Sequence, residues 1–172
     1  MDIKNLTAVI TSFKSEKKIL NCIKSLGKDL DIIVIENSND KKLKAKLEKE
    51  NSNLKCVLSE KNLGYAKGNN LGLSLVKTSY ALIINPDAEV HEDTISNFLL
   101  SAKAKPDFAI IAPHIQETLN NSFKETKKEI LEVENVKGFA MFLNLDQFKK
   151  VGYFDENFFI YFEEIDLCKR LI

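Results

Sequence analysis

The sequence contains a single arginine, Arg170, and no tryptophan, although lysine is abundant. Lysine and arginine together number 25, as do aspartate and glutamate, so the formal net charge is zero. Nucleic-acid-binding domains normally carry a clear excess of positive charge, so nucleic acid is excluded as the main partner. Because the bidentate guanidinium fork is nearly absent, lysine, backbone amides or a metal ion would have to neutralise any bound phosphate.

Cysteines and long apolar runs are scarce as well. Cys22, Cys56 and Cys168 are far apart and odd in number, which fits a reducing compartment better than a disulfide framework or a metal site. No stretch approaches the roughly 20 apolar residues of a membrane span. Residues 1–5 lack the apolar core of a signal peptide. We therefore expect a cytoplasmic protein.

Strand-like and helix-like stretches alternate along the chain, whose 172 residues suffice for one domain. Apolar runs predict strands at 6–13, 31–36, 54–58, 81–84, 108–112 and 136–145. Helical spacing or capping residues predict helices at 15–27, 41–50 and 64–77, around 95–102, after Asp146 and from Glu163. Residues 116–135 are polar and predict a solvated connection. This alternation predicts a single α/β domain with a mostly parallel central sheet flanked by helices.

One acidic turn follows the predicted strand at 81–84. Pro86 disfavours helix at Asn85, so the strand should end there and present Asp87 at its carboxyl end. Ligands of open α/β sheets bind at that edge, and a carboxylate there suits Mg²⁺ or Mn²⁺ carrying a phosphorylated substrate. The alternative is an ordinary Asn-Pro-Asp turn.

Glycines recur at intervals of four within residues 62–72, at Gly64, Gly68 and Gly72. On one face of a helix they allow close approach of either a ligand or the backbone of a packed sheet. The stretch contains no phosphate-binding loop with Gly-Lys-Ser/Thr, and no dinucleotide-binding glycine pattern follows the first strand.

Two adjacent acids, Glu163 and Glu164, follow an aromatic cluster at 153–162. Beside apolar rings, at least one of the two is expected to have a raised pKa, which suits a proton acceptor or donor. The alternative is an exposed acidic first turn of a helix. We expect most of residues 158–162 to belong to the core, with an apolar wall for an acceptor sugar as the alternative.

Five motifs occur in a fixed order along nearly the whole chain. They are Thr11-Ser12, Glu36-Asn37-Ser38, the stretch 62–72, Asn85-Pro86-Asp87, and the run 152–168. Together they resemble the inverting glycosyltransferases of family 2 with the GT-A fold, and within that family the bacterial rhamnosyltransferase-like branch.

The resemblance implies a role for each matching residue. The residues implied to contact the nucleotide-sugar donor are Thr11, Glu36, Asn62, Gly64, Gly68, Asn85 and Asp87. Asp87 matches the last acid of the family's Asp-x-Asp metal motif, so Mg²⁺ or Mn²⁺ is the implied cofactor. Glu164 stands where the family has a catalytic aspartate, and Glu163 matches the acid before it. Because glutamate replaces aspartate, either acid remains a candidate for the base.

The implied activity is metal-dependent, inverting transfer of a sugar from a UDP- or dTDP-sugar to an acceptor hydroxyl in bacterial surface glycan synthesis. A lipid-linked acceptor would bring the protein to the inner face of the membrane. Residues 1–172 are expected to be one catalytic domain. Because family members continue beyond the base helix, the alternatives are a domain truncated at its carboxyl end and a minimal catalytic domain with an incomplete acceptor site. The alternatives are a catalytically inactive nucleotide-sugar-binding or scaffold domain, a sugar-nucleotide pyrophosphorylase, and a receiver-like signalling domain.

Overall fold

A computed structural model describes residues 2–113 and 130–172. The strands are β1 (Leu6–Ser12), β2 (Asp31–Glu36), β3 (Leu54–Leu58), β4 (Tyr80–Ile84), β5 (Ile110–Ile111) and β6 (Ala140–Asn144). The α-helices are α1 (Glu16–Leu26), α2 (Lys41–Glu50), α3 (Gly64–Ser74), α4 (Thr94–Ala104) and α5 (Glu163–Leu171). Short 3-10 turns span Ile3–Asn5 and Leu145–Phe148.

All six described strands form one sheet in the order β3-β2-β1-β4-β6-β5. Strands β1 to β4 are mutually parallel, and Val9 of β1 lies between Ile33 of β2 and Ile83 of β4. Strand β6 runs antiparallel to β4 and to β5. The prediction of a mostly parallel sheet flanked by helices is confirmed, with one antiparallel strand that the sequence pattern did not indicate.

Side-chain alternation along the central strands divides the core into two layers. Leu6, Ala8 and Ile10 of β1 face the layer that contains the apolar sides of α1, α2 and α4. Val9 faces the opposite layer, to which α3 and α5 contribute. Because strands β1 and β4 are covered on both faces, they read in the sequence as continuous apolar runs.

The second half of the chain departs most from the predicted element bounds. The strand predicted at 108–112 is only the two-residue β5, because Phe108 N–H bonds to Lys105 O in a turn. The ring of Phe108 stacks instead on Tyr80 and Phe142. The strand predicted at 136–145 shortens to β6, since residues 136–137 are irregular and Gly138 and Phe139 form a turn.

Asp146 does not cap a helix as predicted. Asn144 occupies the cap position of the 3-10 turn, and the Asp146 carboxylate pairs with Lys149 Nζ at 2.8 Å instead. Of the polar connection predicted at 116–135, residues 116–129 lie outside the described residues, while 130–135 are exposed.

The aromatic cluster at 153–162 is mostly not core. Phe154 is buried and Phe158 is half-buried, but Phe159, Tyr161 and Phe162 are exposed. The expectation that most of residues 158–162 pack inside is therefore wrong. Tyr161 and Phe162 both adopt positive φ angles, 71° and 70°, which turn the backbone sharply before α5.

Candidate functional site

The residues predicted to form the site lie where the parallel strands end. Thr11 is near the end of β1, Glu36 ends β2, and Asn85 follows β4. Parallel strands bring their carboxyl ends to one edge of the sheet, which is where open α/β folds bind ligands. The first turn of α3, with Gly64 and Tyr65, follows β3 at the same edge.

The turn that carries Asp87 is fastened to α1. Lys18 Nζ lies 3.3 Å from Asp87 Oδ2. The thiol of Cys22 donates to Asn85 O at 3.5 Å, and Val90 N–H donates to Ser25 Oγ at 3.0 Å. Contacts on both sides of Asp87 therefore fix this acidic turn at the end of β4.

The surroundings of Asp87 fit a divalent cation that carries a diphosphate. Its side chain is 51% exposed, so its oxygens are accessible from solvent. Asn85 Oδ1 is buried and has no hydrogen-bond partner within residues 2–113 and 130–172. Mg²⁺ is commonly held by only one or two carboxylates together with substrate phosphates, so Asp87 is the residue that would hold such an ion.

Cys22, just beneath this turn, is not a reactive thiol. Burial raises the pKa of Cys22 to about 12, and the negative charges of Asp87 and Glu89 add to the effect. Because the thiolate is the nucleophilic form, this cysteine is chemically inert at neutral pH.

Glu36 is completely buried at the end of β2. Its carboxylate accepts from Ser38 N–H at 3.1 Å, from Ser38 Oγ at 2.6 Å and from Asp40 N–H at 2.6 Å. Both carboxylate oxygens are thus engaged by its own loop. Glu36 shapes the turn after β2.

Thr11 and Gly68 are in direct contact across the β1–α3 interface. Thr11 Oγ1 donates to Asn69 Oδ1 at 3.0 Å. A Cβ atom added to Gly68 would lie 2.5 Å from Thr11 Cγ2 and 3.2 Å from Asn37 Nδ2. At Gly72 the same addition would collide with Val9. Gly68 and Gly72 therefore serve close packing of a helix on the sheet.

Gly64 begins α3 with a φ of +77°, a conformation that side chains disfavour. Its N–H donates to Asn62 Oδ1 at 3.0 Å, and its carbonyl accepts from Asn37 Nδ2 at 3.1 Å. An added Cβ would also meet Phe159. Gly64 thus joins the turn after β2, the start of α3 and Phe159 of the aromatic cluster.

Glu163 and Glu164 occupy the first turn of α5, as the helix-terminus alternative predicted, but they are not equally exposed. Glu163 is 5% exposed, and its Oε2 has no hydrogen-bond partner within the described residues. Burial raises the pKa of Glu163, and the adjacent charge of Glu164 raises it further. Glu164 is only half-buried. The expected raised pKa is confirmed for Glu163.

Tyr65 connects this acid pair to the strand edge. Its hydroxyl donates to Gly138 O, and a Cβ on Gly138 would lie 3.7 Å from Glu164 Cβ. Burial raises the pKa of Tyr65, and the charges of Glu163 and Glu164 contribute to the rise. The phenol therefore stays a neutral hydrogen-bond donor beside both carboxylates.

Hydrogen bonds and ring packing fix the segment ahead of α5. Asn70 Nδ2 donates to Phe154 O at 2.9 Å, and Phe154 N–H donates back to Asn70 Oδ1 at 3.1 Å. The ring of Tyr65 meets Phe154 edge-on, with centroids 5.9 Å apart. Helix α3 therefore contacts β1 on one side and the segment before α5 on the other.

Several contributors to this site were missed in the sequence. They are Lys18, Asn37, Tyr65, Asn69 and Asn70. Three of them, Tyr65, Asn69 and Asn70, lie inside the stretch 62–72, where the regular glycines gave a signal and these polar side chains gave none. Lys18 carried no signal, because it is one of many lysines on helix surfaces.

A group of three potential metal ligands, His91, Glu92 and Asp93, precedes α4. Their ligand atoms lie within 4.8 Å of one another, and all three side chains are exposed. Exposed acidic groups of this kind are common without an ion, so this turn is not evidence of a metal site.

Comparison with known proteins identifies the family of this chain. The model of glycosyl transferase family 2 matches residues 7–168. A curated relative, the low-salt glycan biosynthesis hexosyltransferase Agl10 of Haloferax volcanii, is 24% identical over 98% of this chain and 62% of its own length. The chain thus spans less than two thirds of that relative.

Solved structures agree on the fold. Residues 1–349 of TarS from S. aureus align with a TM-score of 0.77 and 16% identity, over 96% of this chain and 54% of that one. GalNAc-T7 with UDP, GalNAc and Mn²⁺ aligns with a TM-score of 0.79 and 12% identity, over 96% and 39%. These are GT-A glycosyltransferase structures, and the α/β fold predicted from the sequence matches theirs. The chain belongs to glycosyl transferase family 2.

Proposed function

We propose that this chain carries out metal-dependent, inverting transfer of a sugar from a UDP- or dTDP-sugar to an acceptor hydroxyl, as a hexosyltransferase. One observation carries the proposal. The exposed Asp87 follows Asn85 by two residues, and the half-buried Glu164 lies beside Gly138, so the elements that carry both acids meet at the Gly138–Phe139 turn ahead of β6. Asn85 N–H bonds Phe139 O at 2.8 Å, which joins the two acidic elements through the backbone.

The donor nucleotide is assigned to the ends of β1 and β2 and the start of α3. Thr11, Glu36, Asn62, Gly64 and Gly68 belong to these elements or lie next to them in the chain, and we propose that they serve the donor. Glu36 and Gly68 would act through the shape of their loops, since the Glu36 carboxylate is engaged and Gly68 is packed on Thr11. The presence of UDP in the structure of GalNAc-T7 supports this class of donor.

The diphosphate is assigned to Asp87, Asn85 and Lys18. Mg²⁺ or Mn²⁺ on Asp87, when bound, would stabilise the negative charge that develops on the departing nucleotide. Lys18 pairs with Asp87 and would contact the diphosphate directly, since its side chain is 67% exposed. The Mn²⁺ of GalNAc-T7 supports the choice of ion.

Glu164 is proposed as the base. It is more accessible than Glu163 and stands beside the neutral Tyr65 hydroxyl. It would take the proton of the acceptor hydroxyl while that oxygen forms a bond to the anomeric carbon. The bond to the nucleotide diphosphate breaks on the opposite face, so a single displacement inverts the anomeric centre. General-base assistance of this kind is worth about 100- to 10,000-fold in rate.

The finer features of the resemblance belong to the same proposal. We place the chain in the rhamnosyltransferase-like branch, as one GT-A domain acting on a glycan or lipid-linked glycan acceptor at the cytoplasmic face of a membrane. The glycan biosynthesis role of Agl10 supports the acceptor class. Peripheral membrane contact through such an acceptor belongs to this proposal. Within residues 2–113 and 130–172, no helix is long and apolar enough to cross a bilayer.

Calorimetric titration of UDP and dTDP, with and without Mn²⁺, tests the donor site. We expect Mn²⁺-dependent binding that is lost in Asp87→Ala and weakened in Asp87→Asn, which keeps one oxygen ligand. Asp29→Ala is the matched control, since Asp29 is exposed and precedes β2 at the other end of the sheet. Folded protein that binds neither nucleotide would overturn the proposal. Binding without sugar transfer would identify an inactive nucleotide-sugar-binding domain instead.

A further inference from the structure

The proposed donor site crosses three neighbouring strands. In the sheet, β2, β1 and β4 are adjacent in that order, and the diphosphate is assigned to the acidic turn after β4. Neighbouring strands are about 4.8 Å apart, so the end of β2 lies about 10 Å from the end of β4. The nucleoside therefore extends over β1 and brings its base to the loop after β2. We call residues 36–40 the β2 loop.

The carboxylate of Glu36 is enclosed by the β2 loop. Glu36 is fully buried, and its oxygens accept from Ser38 N–H at 3.1 Å, Ser38 Oγ at 2.6 Å and Asp40 N–H at 2.6 Å. A base would reach this carboxylate only after the loop opens. Opening would break three charge-assisted hydrogen bonds and gain a single bond to the base. The β2 loop therefore stays closed when a nucleotide binds.

The β2 loop is also fastened to the elements around it. Asn37 N–H donates to Ser12 O at 2.7 Å, and Lys14 N–H donates to Ser38 Oγ at 2.8 Å. On the other side, Asn37 Nδ2 donates to Gly64 O at 3.1 Å. These bonds join the loop to the end of β1 and to the start of α3. A base therefore meets a preformed surface.

The other polar side chains near this end of the sheet do not replace Glu36. Asp40 Oδ1 accepts from Lys42 N–H and Leu43 N–H and so caps α2. Glu60, which follows β3, is exposed, so water competes with a base for its oxygens. Asn39 is exposed as well, and its amide presents a donor or an acceptor equally well. None of these three groups selects a base of one polarity.

We propose that this site does not read the hydrogen-bonding edge of a pyrimidine, so that CDP-sugars are donors as well as UDP- and dTDP-sugars. This inference rests on the proposed function, because it takes a nucleoside diphosphate to bind at this edge of the sheet. Uracil and cytosine are nearly equal in size, but ring atom N3 is a hydrogen-bond donor in uracil and an acceptor in cytosine. A carboxylate that faced N3 would therefore favour uracil.

The closed Glu36 removes a large source of discrimination. Sites built to hydrogen-bond a substrate N–H reject the analogue without it by about 10,000-fold or more, because a buried polar group is then left unpaired. In this chain the three bonds within the β2 loop already pair the Glu36 carboxylate. Binding of cytosine therefore leaves no additional group unpaired.

The test compares UDP and CDP by calorimetric titration into the full chain with saturating Mn²⁺. The two nucleotides share the same charge, diphosphate and ribose, so the ratio of their dissociation constants isolates the edge of the base. We expect the two constants to differ by less than about fivefold. Titration of dTDP on the same samples connects this result to the proposed donors.

Glu36→Gln tests the role of the loop. It should change the dissociation constants of UDP and CDP by the same factor, because Glu36 acts on both nucleotides only through the shape of the β2 loop. Asp31→Asn is the matched control, since Asp31 is an exposed acid at the opposite end of the same strand. Thermal unfolding verifies that each variant is folded. If Glu36→Gln does not fold, the ratio for the wild-type chain decides.

Three results would overturn this inference. They are a difference of more than about fivefold between UDP and CDP, binding of dTDP alone, and a loss of UDP affinity in Glu36→Gln that CDP does not share. The last result would mean that the loop opens and that Glu36 reads the base. A nucleotide still binds in each of these cases, so only this inference fails. If UDP, dTDP and CDP all fail to bind to the folded wild-type chain, the proposed function fails.

Discussion

Asp87 and Glu163 are carboxylates of the same candidate site in opposite environments. Asp87 is 51% exposed and lies 3.3 Å from the ammonium of Lys18. Glu163 is 5% exposed, and its Oε2 has no hydrogen-bond partner in the described part of the chain. Burial raises the pKa of Glu163, whereas Asp87 has both solvent and a cation beside it. Burial thus favours the protonated form of Glu163, while the turn after β4 leaves the Asp87 carboxylate open to water and ions.

The difference shows how local structure assigns separate chemistry to similar residues. Asp87 itself lies on the exposed side of a turn and pairs with Lys18 of α1, so water and ions can reach it. Glu163 begins a helix whose buried side includes Leu167 in the core layer of α3 and α5. The first turn of that helix carries both Glu163 and the more accessible Glu164. The pair thus supplies one buried acid and one acid that can reach a substrate.

The largest expected effect distinguishes the two acids of α5. In Glu164→Gln we expect the rate of nucleotide release from a UDP- or dTDP-sugar, in the presence of acceptor glycoside, to fall by about 100- to 10,000-fold. Glu163→Gln should lower the same rate by less than about tenfold, because a neutral amide imitates the protonated acid. An equal or larger loss in Glu163→Gln would transfer the role of base to Glu163.

The next effect tests whether the cation beside Asp87 serves the donor. Lys18→Met should weaken UDP binding with Mn²⁺ by about tenfold, because a hydrogen bond to a charged group is worth about 1.5 kcal/mol or more. Lys17→Met, one residue earlier on the exposed side of α1, should have no effect. Calorimetry measures both. Tighter binding in Lys18→Met would mean that Lys18 only competes with the metal ion for Asp87.

A smaller effect is expected when the link between α3 and the acid pair is cut. Tyr65→Phe removes the hydrogen bond to Gly138 O and keeps the ring on Phe154. Unfolding free energy should drop by about 1 kcal/mol, and nucleotide release should slow while UDP affinity stays constant. Tyr153→Phe is the control, since its hydroxyl has no hydrogen bond in the described residues. Equal effects in both variants would show that Tyr65 does not position the acids.

The smallest effect is a pH dependence of stability. Because burial raises the pKa of Glu163 above 4.5, the native state keeps this proton to higher pH than the unfolded chain. Its contribution to stability is complete below pH 4.5 and is lost as the pH rises through the native pKa. Glu163→Gln should therefore raise the melting temperature at pH 8 relative to wild type, with no gain at pH 4. A constant difference across this range would show that Glu163 is solvated.

Periodicity in the sequence predicted the parallel half of the sheet well. The bounds of β2, α2 and β3 agree residue by residue with their apolar patterns, and Gly27 ends α1 as predicted. The second half was predicted less well, since β5 and β6 pair antiparallel and their ends depend on aromatic stacking around Phe142. Stacking joins residues far apart in sequence, so the local spacing of apolar residues does not predict it.

The sequence by itself determined the order of strands and helices, the acids that follow β4 and begin α5, and the family motifs that span them. These depend on local patterns of apolar residues, proline, glycine and charge, which need no knowledge of distant partners. Tertiary structure decided that Glu36 bonds its own loop, that Gly68 packs on Thr11, and that the Tyr65 hydroxyl bonds Gly138 O. It also placed the rings of residues 159–162 in solvent, because only packing determines which side of a turn faces the core.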